Sequence, residues 1–123
     1  MKIAGALIAE SLRRGKALHG VSMSITKIAR GDVGDVDAGQ PLTWTFIEFE
    51  APADDGPDLA VALSRVLEPA GGWYCDFRTD TDTYVVFADR VFRYPRGDRE
   101  GRREAEEYAR KVGVPESQLD WPT

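Results

Sequence analysis

The sequence predicts an α+β fold: a two-layer sandwich in which a mainly antiparallel sheet of five to six strands carries two helices packed on one face. Three observations predict it. Seven of the chain's 12 aromatic residues fall between Trp73 and Tyr94, in a run that alternates like a strand meander. A second run, LTWTFIEFE over 42–50, alternates as cleanly. Two further stretches, 57–67 and 98–112, repeat their apolar residues at helical spacing between start and stop signals. At 123 residues the whole chain, 1–123, reads as a single domain around one core.

In chain order, Lys2 to Leu12 fits either period. Ile3, Leu7, Ile8 and Leu12 suit a helix, whereas Gly5 and the alternation Ile3-Gly5-Leu7-Ala9 suit a strand, which is the reading adopted. Val21 to Ala29 alternates, with Val21, Met23 and Ile25 on one face of a half-buried strand. Gly31 to Pro41 has the Asp, Gly and Pro of a loop. In the strand over 42–50, Trp44, Phe46, Glu48 and Glu50 share one face; Thr45, Ile47 and Phe49 take the other.

Pro57 and Asp58 open the first helix, since a first turn tolerates a missing N–H and favours an acid. Leu59, Leu63, Val66 and Leu67 form its apolar side, and Pro69, Gly71 and Gly72 end it. The meander from Trp73 to Pro95 follows, with Trp73, Cys75, Phe77, Val85 and Phe87 assigned to its covered face. Asp98 then caps a second helix with a thin stripe of Ala105, Tyr108, Ala109 and Val112, closed by Gly113. Leu119 and Trp121 are expected to fold back onto the body.

Composition excludes several functions. Hydrophobic residues at 42% and charged ones at 30% describe a globular chain. A net charge of -5 argues against nucleic acid, whose phosphates need clustered Lys and Arg. The 12 Arg, 4 Lys, 14 Ala and absent Asn fit codon bias from a GC-rich genome, so arginine content alone implies little. A lone Cys75 cannot form an internal disulfide. The apolar run Ile3 to Ala9 is far short of a membrane span and is followed by no small-residue cleavage site. A cytoplasmic location and no membrane association are therefore expected.

No phosphate-cradling glycine motif occurs, and one His with one Cys makes no zinc site, so neither cofactor nor metal is expected. Asp76, Asp80 and Asp82 lack the spacing of a calcium loop; Asp80 and Asp82 suit hairpin hydrogen bonds. Cys75 alternates with core residues and reads as an inert buried thiol. Glu48 and Glu50, two apart on one strand face, could split their pKa values and act as acid and base, or simply be solvated where the strand leaves the core.

Charge is uneven. Between Asp32 and Asp58 there are eight acids and no base; between Arg90 and Arg110 there are seven Arg against five acids. Arg90, Arg93 and Arg96, interleaved with Phe92 and Tyr94, could clamp an anion, or pair with the acidic segments.

The run GWYCDFRTDTDTYVVFADRVFRYPRGD, the ending GVPESQLDWP, and the segments GALIAESLR and LTWTFIEFE resemble a group of short uncharacterised actinobacterial proteins. That resemblance covers most of the chain and implies no activity, cofactor or catalytic residue. The function expected is a non-enzymatic interaction module, one form of which is an immunity-type role. It would act through the acidic loop and the Arg90, Arg93, Arg96 and Tyr94 strand on a protein partner or a second copy. The alternative is a small acid–base enzyme in which Glu48 or Glu50 moves protons while Arg93 or Arg96 holds an anionic substrate.

Overall fold

The computed structural model describes residues 2–34 and 40–122. Its elements run β1 (Lys2–Ile8), β2 (Ser24–Asp32), β3 (Thr43–Pro52), α1 (Gly56–Val66), β4 (Cys75–Arg78), β5 (Asp82–Phe87), β6 (Arg90–Pro95) and α2 (Arg99–Lys111). The strands form one sheet in the order β2-β3-β1-β4-β5-β6, antiparallel at every pairing. The α+β class, the single antiparallel sheet and its two helices are those the sequence predicts.

The first strand settles its ambiguity through its glycine. β1 lies between β3 and β4, and a Cβ on Gly5 would stand 2.9 Å from both Phe49 and Phe77. A glycine lets those two rings close over the strand, whereas a helix would not put Gly5 under them. After β1, Glu10 clamps β3 by accepting from the Thr45 N–H at 2.6 Å and its hydroxyl at 2.8 Å.

The placement of the helices differs from the expectation of one shared face: they lie on opposite faces. β5 shows why, since every residue from Thr83 to Phe87 is buried. Tyr84 and Val86 point toward α1, where Ile3, Leu7, Phe49, Leu59, Leu63 and Phe77 meet them. Val85 and Phe87 point the other way, into a second cluster with Tyr94, Ala105, Ala109, Leu119 and Trp121. Assigning Phe77 and Phe87 to one covered face is corrected accordingly. Phe77 stacks on Tyr84 at 4.7 Å on the α1 side, while Phe87 meets Tyr108 edge-on at 5.0 Å on the α2 side. A strand buried on both faces needs cover on both.

The thin stripe of α2 suits a close approach. Small Ala105 and Ala109 are fully buried, and at Gly101 a Cβ would come within 2.5 Å of Tyr94. Asp98 caps the helix, accepting from the N–H groups of Glu100 and Gly101 at 3.1 and 3.2 Å. The following tail docks as expected, with Trp121 2% exposed.

β2 begins at Ser24, three residues after the expected start, and Val21 and Met23 reach the core from the preceding loop. A one-residue bulge at Thr26 shifts its parity, so Ile25 and Ile28 share the α1-side face yet remain 58% and 62% exposed. Among the described residues, no helix is long and apolar enough to cross a membrane.

Candidate functional site

The arginines of β6 do not converge. Strand parity sends Arg90 to the α2 side, its guanidinium 4.7 Å from the Phe92 ring and 5.5 Å from that of Tyr108. Arg93 turns to the α1 side, over Tyr84 at 5.2 Å and bonded to Asp82 at 3.0 Å. Arg96 lies beyond the strand and donates to the Thr79 carbonyl at 3.4 Å. Tyr94 is buried, and its hydroxyl accepts from the Trp121 indole. The four residues read as one cationic clamp are therefore three separate local contacts and a core tyrosine.

Of the acidic segment, Asp54 lines a shallow cleft of about 300 Å³ with Asp82, Tyr84 and Arg93. Asp35 and Asp37 lie outside the described residues. In the β4–β5 turn the Thr79 hydroxyl accepts from the Thr81 and Asp82 N–H groups at 3.2 and 3.0 Å, and the Asp82 carboxylate accepts from the Thr81 hydroxyl at 3.2 Å.

Glu48 and Glu50 share their face with Trp44 and Phe46, as the period of two requires. Lys27 stands 3.6 Å from Glu48 and Lys2 3.4 Å from Glu50, and the two carboxylate side chains are 48% and 41% exposed. Four strand spacings separate β3 from β6, roughly 19 Å. Neither glutamate therefore meets Arg93 or Arg96.

What the glutamates do meet is a trough on the α2 side of the sheet. Among the described residues, α2 and the tail cover that side toward β4, β5 and β6. Over β2, β3 and β1 the floor is Ala4, Ala6 and Phe46, and the rim carries Glu48, Glu50, Lys27, Asp76 and Arg78, enclosing about 650 Å³. The trough continues past Ala6, Phe46 and Asp76 into a lobe of about 590 Å³ walled by Trp44, Trp73, Tyr74, Gln118 and Asp120. Small side chains on the central strand make the depression, and the docked tail makes its far wall.

Asp76, weighed in the sequence only as a poor calcium ligand, belongs to this trough. It alternates with Cys75 and Phe77, which assigns it to the opposite face, and its partner Asp120 comes near only once the tail has docked. Burial, reinforced by the Asp120 charge, pushes the Asp76 carboxyl up to about 6, while Arg78 and Arg102 pull it down. The Tyr74 hydroxyl donates between the Gln118 carbonyl and Asp120, the latter at 3.1 Å. Arg78 Nε is buried and has no hydrogen-bond partner among the described residues.

Cys75 is buried, its thiol donating to the Ala6 carbonyl at 3.4 Å and its pKa pushed up by burial. It is no activated nucleophile. Four carboxylates against Lys2, Lys27 and Arg78, above an apolar floor open to solvent, form a surface that can bind but does not enclose. No known protein family, curated protein or solved structure matches this chain.

Proposed function

We propose that the chain is a non-enzymatic interaction module that docks a protein partner on the open side of its sheet. One observation carries the reading: among the described residues no helix lies above that side over β2, β3 and β1, although Trp44, Phe46, Ala4 and Ala6 lie there. An apolar floor inside a polar rim is the anatomy of a protein interface rather than of a sealed catalytic pocket. The surplus of carboxylates favours a basic segment as the partner's contact, and an immunity-type role is one form this takes. The surface moves from the β6 arginines to the trough because those arginines face different sides. An acid–base role for Glu48 or Glu50 loses Arg93 and Arg96, which lie toward the other edge of the sheet; Arg78 shares the rim, but the trough there is open to solvent rather than sealed.

The test is co-purification with cross-linking on three proteins: the unaltered chain, Glu48→Arg with Glu50→Arg, and Arg90→Ala with Arg93→Ala. The partner should be lost with the glutamate pair and retained with the arginine pair. The reverse pattern, or recovery of the chain alone, overturns the reading.

A further inference from the structure

The two edges of the sheet are unlike. β6 is a six-residue edge with outward arginines on both faces and Pro95 at its end, features that discourage pairing with another strand. β2 is a nine-residue edge whose backbone, among the described residues, is paired on one side, to β3. Its one conspicuous ammonium, Lys27, is turned to the trough side and held near Glu48. On the α1 side the same strand shows Ile25 and Ile28, among the most exposed large apolar residues described.

We propose that β2 pairs antiparallel with β2 of a second copy of this chain, about a two-fold axis at Ile28, to make a continuous twelve-stranded sheet. The register follows from the side-chain faces. Ile28 lies beside its own counterpart. Lys27 faces Ala29 of the second copy on the trough side. With Thr26 bulged out of the ladder, Ile25 lies beside the stem of Arg30 on the α1 side. No like charges stand opposite one another, and both copies' Ile25 and Ile28 join into one apolar row across the axis. A two-fold contact must be self-complementary in this way. The inference stands apart from the trough, because the isoleucines project from the other face.

Sedimentation over a range of concentrations should show a monomer–dimer equilibrium. Ile28→Lys, at an exposed position, places two ammonium groups across the axis and should raise the dimer dissociation constant at least ~10-fold. Arg90→Ala, on the far edge, should leave it unchanged. A short bis-maleimide should cross-link Ile28→Cys efficiently. It should link Ile25→Cys poorly, since the two positions are offset by roughly 14 Å along the strands. Cys75 is buried and does not compete. A monomer at every concentration, a dimer indifferent to Ile28→Lys, or stronger linking at position 25 than at 28 each overturns the proposal.

Discussion

The indole N–H of Trp121 donates to the hydroxyl of Tyr94 at 2.9 Å, and both groups are buried. That bond joins the tail to β6 beneath α2. Arg102 of α2 closes the arrangement from above, with its guanidinium 5.1 Å from the Trp121 ring and donating to the carbonyls of Leu119, at 3.1 Å, and Trp121. The segment after α2 is therefore part of the second core cluster and a wall of the trough at once.

Truncation at Trp121 tests this directly. Trp121→Ala should cost about 3–5 kcal/mol, the usual range for emptying a large buried site. Trp121→Phe should cost less, chiefly by stranding the Tyr94 hydroxyl. Urea unfolding gives both values; a loss under ~1 kcal/mol for the alanine variant would show that the tail is not docked.

Gly101→Ala should reverse an ordinary preference. Inside a helix alanine is favoured over glycine by about 1 kcal/mol. Here the added methyl would lie 2.5 Å from Tyr94 Cβ, so α2 must shift off the sheet. A net destabilisation of about 1–3 kcal/mol is expected. A stabilised variant in thermal melts would contradict the close packing of α2 on β6.

Asp76 should make stability fall with rising pH. Its carboxyl titrates near 6 in the folded chain against 3.8 without burial, so the folded state favours the protonated form. That favourable contribution is complete below pH 3.8 and is lost as pH rises through 6, a swing of at most about 3 kcal/mol. Asp76→Asn should therefore stabilise the chain at pH 8 and give no gain near pH 4. Denaturant titrations at the two pH values measure the difference; an equal effect at both would remove the assigned cause.

Cys75 should be silent toward a thiol reagent in the folded state and should react fully once unfolded. Burial raises its pKa and so suppresses the reactive thiolate, and the body of the protein shields it. Labelling at native-state rates typical of an exposed cysteine would mean that β4 is not held against β1.

Much of the fold was legible from period alone. The alternation in LTWTFIEFE placed Glu48 and Glu50 beside Trp44 and Phe46, and the helix signals around Pro57 and Asp98 located both helices. Opposite-face packing was also signalled, by Tyr84-Val85-Val86-Phe87, an unbroken apolar run of the kind a strand covered on both sides carries. The bulge at Thr26 had no local signal, and it alone decides that Ile25 and Ile28 lie together. The far lobe of the trough brings Asp76 and Asp120 to one lining, 44 positions apart in the chain, which no periodicity encodes. The arginines of β6 misled because spacing along a strand was read as nearness without regard to which side each residue faced.

β1 has a consequence of its own. The β2–β3 hairpin and the β4–β6 meander can each close on nearby sequence, but only β1 bonds to both. Peeling either module away would leave that strand half-bonded and Gly5 stripped of the rings above it. The amides of β1 should thus be the slowest to exchange with deuterium, opening only when the entire molecule does.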